Sequence, residues 1–409
     1  MAVVIQSADL EAAEAAVTAL GGQAARRLPH VGALVARLPR GRVDAARAAP
    51  GIESVSPDRR ISGTLDLTSA VVGAASVHED LGFDGTGVGI AIVDSGVTRS
   101  HSDLEPNRVV HFVDFIRMQP LPYDGYGHGT HVAGIIAGSG YESGGARRGI
   151  APGAHLIVLK TLDERGHGYI SDAVAAIDYA IGQQAAFNIR VINLSVAAGV
   201  YESYTTDPLA LAAARAVDAG ILVVTAAGNL GRTAEGAVQH GGITAPGNAP
   251  WVLTVGAAMH RGTRDRADDV VAPFSSRGPS SIDAVAKPDL VAPGTDVTSL
   301  ADPGSMLFLA RPGARVWGTI PAEHEPYLSL SGTSMAAPVV AGAAAVMLQA
   351  NPSLAPARIK TILRHTAEPL EGFGALAQGA GLVDVRAAVA LAAAPGADIG
   401  EGLAGATLP

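Results

Sequence analysis

The sequence of 409 residues contains no cysteine. This absence excludes disulfide bonds, thiolate metal sites and a cysteine nucleophile, and it leaves the redox compartment open. Aromatic residues make up only 4% of the chain, against 48% for all hydrophobic residues. The core is therefore expected to consist mainly of alanine, valine, isoleucine and leucine.

The chain also lacks acidic or basic runs, although its formal net charge is −9. Nothing in this pattern favours nucleic acid or a charged membrane surface as a partner. The longest apolar runs are interrupted by glycine, proline or charge, so no transmembrane segment is predicted. The opening stretch, MAVVIQSADLEAAEAAV, has neither the basic nor the apolar region of a signal peptide.

The first 57 residues predict a small α+β unit. Strand and helix patterns alternate in the order βαββαβ, which is typical of a ferredoxin-like fold. The predicted domains are residues 1–62 for this unit, 63–80 for a linker and processing region, 81–395 for a large domain and 396–409 for a tail.

The large domain contains short apolar strands separated by helical stretches. Examples of the strands are VGIAIVD at 88–94, VINLSV at 191–196 and ILVVTAAG at 221–228. This alternation predicts a mostly parallel central sheet with helices on both faces. The Pro/Gly-rich residues 301–327 are expected to form a surface insertion.

A serine, Ser334, stands where a long apolar run begins, in the sequence LSLSGTSMAAPVVAGAAAVMLQ. The run predicts a buried helix that starts near Ser334, with Pro338 in its opening turn, where a missing amide costs little. A serine at a helix start is usually an N-cap. It can also be a nucleophile whose oxyanion faces the free helix amides, and the choice depends on partners elsewhere.

Three further polar residues stand at the ends of predicted strands or the start of a helix. Asp94 ends a buried strand, Asn229 follows another, and His128 opens an apolar helical run in DGYGHGTHVAG. Taken alone, Asp94 and Asn229 are better explained as turn residues. The spacing of His128 and His131 does not match the HExxH pattern of a zinc site, and His131 is expected to be structural.

Taken together, these residues lie in stretches that resemble the subtilisin-like serine proteases, or subtilases. The matching stretches extend from about residue 85 to 385: AIVDSGV, GHGTHVAG, GIAPGAHL, VINLSV, VTAAGN, FSSRGP, KPDLVAPG and GTSMAAPVVAG. The resemblance implies a serine endopeptidase with Ser334 as nucleophile, His128 as general base and Asp94 as its orienting acid. It implies Asn229 as an oxyanion donor.

The same resemblance implies a substrate cleft. Ser195, Val196 and Ala197 would pair with the substrate backbone by strand addition, although Ala197 replaces the usual glycine. Ala226, Ala227 and Gly228 would line the pocket before the cleaved bond, which predicts a preference for large apolar side chains.

No cofactor is expected for catalysis, and structural calcium is the one metal to consider. Asp103 matches a position that binds calcium in some relatives. The usual partner loop, residues 138–149, is short of oxygen ligands and contains two arginines, so the sequence favours no metal there.

The N-terminal unit resembles the inhibitory propeptide of subtilases. The resemblance implies a tail bound in the cleft as a product and self-cleavage between about Arg60 and Thr68. It also implies a secreted, monomeric enzyme that acts on proteins or peptides. Two alternatives remain, a peptide ligase on the same residues or a permanently inhibited complex; an α/β-hydrolase esterase fits the motifs poorly.

Overall fold

The N-terminal unit is a four-stranded antiparallel sheet covered by two helices. Its strands are β1 (Ala2–Gln6), β2 (Gln23–Leu28), β3 (Ala33–Arg37) and β4 (Ser54–Pro57), and its helices are α1 (Leu10–Ala19) and α2 (Val43–Arg47). The strand order β2-β3-β1-β4 is ferredoxin-like, as the sequence pattern predicts. Asp9 caps α1 by accepting the amides of Glu11 and Ala12.

The structure, a computed structural model, describes residues 1–58, 60–63, 71–261, 263 and 265–394, with 60–63 described by their backbone alone. Most of the predicted cleavage region and the predicted tail at 396–409 lie outside these residues.

The larger part of the chain contains the remaining strands and helices. The strands are β5 (Arg60–Gly63), β6 (Gly89–Asp94), β7 (Val109–Asp114), β8 (His155–Lys160), β9 (His167–Tyr169), β10 (Ile189–Leu194), β11 (Val196–Ala197), β12 (Leu222–Ala226), β13 (Leu253–Met259), β14 (Val270–Val271), β15 (Leu290–Pro293), β16 (Val297–Leu300), β17 (Arg315–Val316) and β18 (Tyr327–Leu330). The helices are α3 (Ala74–Ser76), α4 (His128–Ala137), α5 (Ile170–Gly182), α6 (Gln184–Phe187), α7 (Pro208–Asp218), α8 (Met306–Ala310), α9 (Thr333–Ala350), α10 (Pro356–Thr366), α11 (Ala375–Gln378) and α12 (Val385–Ala393).

Within the described residues, the central sheet has eight strands in the order β14-β13-β12-β10-β6-β8-β7, with β15 also paired to β13. Every neighbouring pair is parallel except β13 with β14. Strands β6, β10 and β12 lie side by side, so their carboxyl ends meet at one edge. In open α/β sheets that edge is where ligands bind.

Helices cover both faces of this sheet. Helices α4, α9 and α12 contribute to the core on one face, and α5 and α7 contribute to the core on the other. The second core also includes Val4, Leu28 and Val31, so the N-terminal unit packs directly on the α5 and α7 face.

Helix α9 is the one described helix that is long and apolar enough to cross a membrane, and 89% of that stretch is buried inside the protein. Its hydrophobicity is explained by its contacts with the central strands. The segment predicted as a surface insertion also reaches the core, because Leu307, Phe308 and Tyr327 are buried.

Candidate active site

Asp94 and His128 form a buried hydrogen-bonded pair at the carboxyl edge of the sheet. Asp94 is the last residue of β6, and His128 is the first residue of α4. The Nδ1 atom of His128 lies 2.8 Å and 2.9 Å from the two carboxylate oxygens of Asp94. Both side chains are fully buried. With Nδ1–H donating to Asp94, the Nε2 atom is left to act as a base.

The start of α4 is held by Asp124, a residue that the sequence analysis missed. Its carboxylate accepts the Thr130 amide at 2.8 Å and the Thr130 hydroxyl at 2.7 Å. Ser95 donates to Asp124 at 2.8 Å and accepts the Gly129 amide at 2.9 Å. Asp124 thus joins the turn after Asp94 to the helix that carries His128. An aspartate just before a helical run is a capping signal that could have identified it.

The glycines on either side of His128 allow close backbone packing. A Cβ atom at Gly129 would lie 2.1 Å from the carbonyl oxygen of Gly96. Gly127 has a φ of 97°, and a Cβ atom there would meet the Ser305 side chain at 2.4 Å. Gly129 is therefore required by its contact with the turn after Asp94, and Gly127 by its left-handed backbone and its contact with Ser305.

A buried lysine, Lys160, supports the turn after Asp94. Its ammonium group donates to the carbonyl oxygens of Ser95 and of Leu162, the latter at 2.8 Å, and lies 4.6 Å from the centre of the Tyr123 ring. Burial lowers the pKa of Lys160, and the nearby carboxylates, including Asp94, oppose that shift. The lysine therefore supplies positive charge and two hydrogen bonds beneath the Asp94 turn.

Ser334 lies in the first turn of α9 and is bonded to Ser195 in both directions. The Ser334 hydroxyl donates to the Ser195 carbonyl at 3.1 Å, and the Ser195 hydroxyl donates to the Ser334 carbonyl at 3.0 Å. Asn193 donates to the Ser195 hydroxyl at 2.8 Å. These bonds join the end of β10 to the start of α9.

The prediction that Pro338 lies in the opening turn of α9 is wrong, because Pro338 is inside the helix. In an α-helix the amide of residue 338 would donate to the carbonyl of Ser334, and proline has no such amide. The Ser195 hydroxyl fills that missing bond. The proline therefore leaves the Ser334 carbonyl available to a neighbouring strand.

Asn229 is oriented by the residue before Ser334. Its side-chain oxygen accepts the Thr333 amide at 3.0 Å and the Thr333 hydroxyl at 3.1 Å. The Thr333 hydroxyl also accepts the Gly228 amide at 3.1 Å. Because the oxygen of Asn229 is engaged in this way, its NH₂ group is the end available to a substrate oxygen.

The edge predicted to bind substrate is paired with the chain's own strand β5. Val196 lies opposite Gly63 and Ala197 opposite Ser62, in antiparallel register. On its other side, β5 pairs with β9. The extended segment β5 thus lies between β9 and β11 of the larger part of the chain. Ser334, which is bonded to Ser195 next to β11, is fully buried.

The residues predicted for the specificity pocket lie at the end of β12 and in the turn that follows. Ala226, Ala227 and Gly228 are all buried. Gly228 has a φ of 99°, and a Cβ atom there would lie within 3.0 Å of Thr244 and Ser276. The turn therefore needs glycine.

Asp103, the predicted calcium ligand, is bound by groups of the protein. One carboxylate oxygen accepts the Glu142 amide at 2.8 Å, and the other accepts the Tyr327 hydroxyl at 2.8 Å. Arg147 lies over the Tyr327 ring at 4.8 Å. The described part of the chain holds no cluster of three or more His, Asp or Glu side chains suited to a metal ion.

His131, one turn along α4 from His128, bonds to two strands instead of to Asp94 or Ser334. Its Nε2 atom is 2.9 Å and 3.0 Å from the carbonyl oxygens of Val297 and Leu328, to which it donates as the neutral ring. Burial lowers the pKa of His131 to about 3. It therefore joins α4 to two strands as a neutral side chain.

Comparison with known proteins shows the family to which this chain belongs. The family model for the subtilase family matches residues 85–382, and a model for a peptidase inhibitor domain matches residues 1–58. The chain belongs to the subtilase family. It is a subtilisin-like serine endopeptidase with an inhibitor-type domain at its N-terminus.

Two curated subtilases and one solved structure illustrate the similarity. The serine protease AprX of Bacillus subtilis is 36% identical over 344 residues, which cover 83% of this chain and 74% of AprX. Subtilisin E of the same organism is 30% identical over 372 residues, covering 90% of this chain and 83% of subtilisin E.

The crystal structure of fervidolysin from Fervidobacterium pennivorans, described as a keratinolytic enzyme related to subtilisin, has a TM-score of 0.74 at 24% identity. The match covers 95% of this chain and 60% of fervidolysin, so this chain spans about three fifths of that protein. At this identity the comparison supports the subtilisin-like fold alone.

Proposed function

We propose that this subtilase hydrolyses peptide bonds through an Asp94–His128–Ser334 triad. The observation that carries the proposal is the buried pair between His128 Nδ1 and both oxygens of Asp94, at the same sheet edge as Ser334. His128 takes the proton of the Ser334 hydroxyl as that oxygen attacks the peptide carbonyl. It then gives the proton to the leaving amine, while Asp94 stabilises the imidazolium.

Asn229 and the Ser334 amide are the proposed donors to the oxyanion. Ser334 is at the start of α9, where helix amides have no helical partner and the helix dipole favours negative charge. Asn229 is held with its oxygen toward Thr333, which leaves the NH₂ group for the substrate. In subtilisin the loss of such a side-chain donor lowers turnover by about 10²–10³, and the same is expected for Asn229→Leu. Water then hydrolyses the acyl-enzyme, and no cofactor is needed.

The chain is proposed to be a zymogen that processes itself. Support comes from β5, which occupies the cleft between β9 and β11. Just before β5, Asp58 accepts the amide of Ser171 at 2.9 Å and its hydroxyl at 2.6 Å. The N-terminal sheet is also tied to α5 by Asp178, which accepts the amides of His30 and Val31 at 2.5 Å and 3.1 Å.

The test of this proposal compares the parent chain with Ser334→Ala during incubation. The parent is expected to lose its N-terminal unit, with a new N-terminus between Arg60 and Thr68 by mass spectrometry, while Ser334→Ala stays full length. Equal shortening of both chains would remove self-processing. A parent that is cut but never hydrolyses added peptides would instead support a permanently inhibited complex, for which the full burial of Ser334 is the favouring observation.

The side-chain preference of the enzyme and the choice between hydrolysis and ligation are also proposals. Ala226, Ala227 and Gly228 are small residues, which supports a preference for large apolar side chains before the cleaved bond. A peptide-library digest that favours acidic residues there would contradict it. Product mass distinguishes hydrolysis from ligation, because only hydrolysis adds a water.

We further propose that the enzyme acts outside the cell as a monomer. An inhibitor domain attached to the catalytic domain would keep the protease inactive until export is complete. Activity found only in the cell pellet, or a dimer mass by light scattering, would contradict this.

A further inference from the structure

Lys160 is a buried cation at the end of β8, directly opposite Asp94 in the pairing of β6 with β8. It is 1% exposed. Its ammonium group carries three N–H donors and no acceptor. It donates to the carbonyl oxygens of Ser95 and Leu162, and it lies 4.6 Å from the centre of the Tyr123 ring, whose face attracts a cation. These partners all favour the charged form of the lysine.

Ser95 connects this lysine to the catalytic pair. Its carbonyl oxygen accepts from Lys160, and its amide donates to one carboxylate oxygen of Asp94 at 2.7 Å. The same oxygen of Asp94 lies 2.8 Å from Nδ1 of His128. Lys160 is therefore joined to the imidazole through one residue and one carboxylate.

The turn after Asp94 also packs against the stem of the lysine. Gly96 has a φ of 113°, and a Cβ atom there would lie 2.2 Å from the Tyr123 carbonyl oxygen and 3.3 Å from Cδ of Lys160. The lysine thus supports the turn that carries Asp94 by contact as well as by hydrogen bonding.

Negative charge surrounds this lysine. The carboxylates that act on it are those of Asp124, Asp114, Asp94 and Glu164. The other titratable or charged groups beside Lys160 and His128 are Arg117, Tyr123, Tyr126 and the neutral His131. Arg117 is paired with Glu164 and its side chain is 53% exposed, whereas Lys160 is buried. A buried positive charge near His128 disfavours the imidazolium, so it extends to lower pH the range in which the imidazole is a base.

We propose that Lys160 is a positioning residue whose buried positive charge sets the lower limit of the pH range in which His128 acts as a base. This inference rests on the proposed function and adds to it the residue that matches the triad to its working pH. A residue that supports the turn by shape alone would change kcat/KM by the same factor at every pH. A residue that acts through its charge changes the shape of the pH profile.

The test measures kcat/KM for a fluorogenic peptide from about pH 5 to pH 10, in the processed parent and in variants of Lys160. The acid side of this profile gives the pKa of the base in the free enzyme, and it does not depend on the fraction of active enzyme. Lys160→Met keeps an unbranched stem and removes the charge, so it should raise that pKa by about 0.5–1 unit. Its kcat/KM should then fall about 3–10-fold more at the acid end than on the plateau. Lys160→Arg retains the charge and should keep the parent's pKa within about 0.2 unit.

Lys287 supplies a matched control, because it is also 1% exposed. It donates to the Val252 carbonyl at 3.0 Å and to Asp289 at 2.8 Å. These two partners directly precede β13 and β15, at the edge of the sheet opposite to the one that carries Asp94. Lys287→Met also removes a buried cation, but it should leave the pKa on the acid side unchanged.

A Lys160→Met profile that is lowered by one factor at every pH overturns the inference. So does an equal shift in Lys160→Arg or in Lys287→Met. If Lys160→Met does not fold, Asp124→Asn is compared with the double variant Asp124→Asn/Lys160→Met, which leaves one carboxylate fewer without its cation. Loss of the lysine should raise the pKa in that background too, and equal pKa values in the two chains would overturn the inference. Absence of hydrolysis by the parent at every pH, with no labelling of Ser334 by a fluorophosphonate, would instead refute the proposed function.

Discussion

The bond from the Ser195 hydroxyl to the Ser334 carbonyl gives the sharpest prediction about how the nucleophile is held. Ser195→Ala would leave that buried carbonyl without the donor that replaces the missing amide of Pro338. An unsatisfied buried acceptor costs about 1–3 kcal/mol in unfolding free energy. Pro338→Ala restores an amide four residues after Ser334, so it should reduce the cost of Ser195→Ala by about 1 kcal/mol.

The assay is urea unfolding of four chains: the parent, Ser195→Ala, Pro338→Ala and the double variant. All four carry Ser334→Ala as a common background. That background prevents self-digestion and retains the carbonyl that both mutations address. In the active chain, Ser195→Ala should also lower kcat, since the nucleophile is then held by fewer bonds, and Pro338→Ala should restore part of it.

A matched control comes from Ser299, which donates to the His131 carbonyl at 2.8 Å. That carbonyl lies in α4 and has its own helical donor four residues on. Ser299→Ala should therefore cost less than Ser195→Ala and show no coupling to Pro338→Ala. If the effects of Ser195→Ala and Pro338→Ala simply add, the compensation between the hydroxyl and the proline is refuted.

Three further predictions concern pH, inhibition and calcium. The folded-state pKa of His131, about 3, is below its unfolded value, so the unfolded state takes up the proton first as the pH falls. The free energy of unfolding should therefore decrease between about pH 6.5 and 3. In urea unfolding, His131→Gln should reduce this pH dependence. Asp178→Ala removes the acceptor of two amides of the N-terminal unit and should speed the appearance of peptidase activity after processing at least about 3-fold. Chelation by EDTA should leave the melting temperature unchanged, whereas Tyr327→Phe, which removes a donor to Asp103, should lower it by about 2–6 °C.

Each of these has a control and a contradicting result. His167→Gln, on the exposed β9, should keep the parent's pH slope, and an unchanged slope in His131→Gln would contradict the first prediction. Asp218→Ala, at the exposed end of α7, should not change the onset of activity; an Asp178→Ala chain with the parent's onset would contradict the second. A fall in melting temperature on chelation that calcium reverses would show that a metal is bound.

Much of the fold could be predicted from sequence because its central strands are short apolar runs separated by helical stretches. The strand patterns at 88–94, 191–196 and 221–228 correspond to β6, β10 and β12. Strand β7 escaped prediction because its sequence, VVHFVD, mixes apolar and polar residues and lies near the edge of the sheet.

Other features depend on contacts between distant segments, which a pattern cannot show. No strand is predicted between the N-terminal unit and the large domain, yet residues 60–63 form β5 because β9 and β11 supply its partners. Pro338 predicts a helix start because the pattern does not show that Ser195, 139 positions from Ser334, supplies the donor that the proline lacks. Residues 301–327 predict a surface loop, but apolar residues in it fill space against the central core.

The residues of the candidate site also differ in whether the sequence alone could identify them. Asp94, His128, Asn229 and Ser334 were found because each lies in a short motif at a strand end or helix start. Asp124 and Thr333 were missed because their effect depends on which atoms they contact. Residues that position the site thus carry weaker sequence signals than residues proposed to perform the chemistry.

The most direct measurement is covalent labelling of the processed enzyme by a serine-directed fluorophosphonate, with the labelled residue mapped by mass spectrometry. A single label on Ser334 is predicted, formed at least about 10³-fold more slowly in His128→Ala. Equal labelling rates in the parent and His128→Ala, or a label on another serine, would contradict the proposal that His128 activates Ser334.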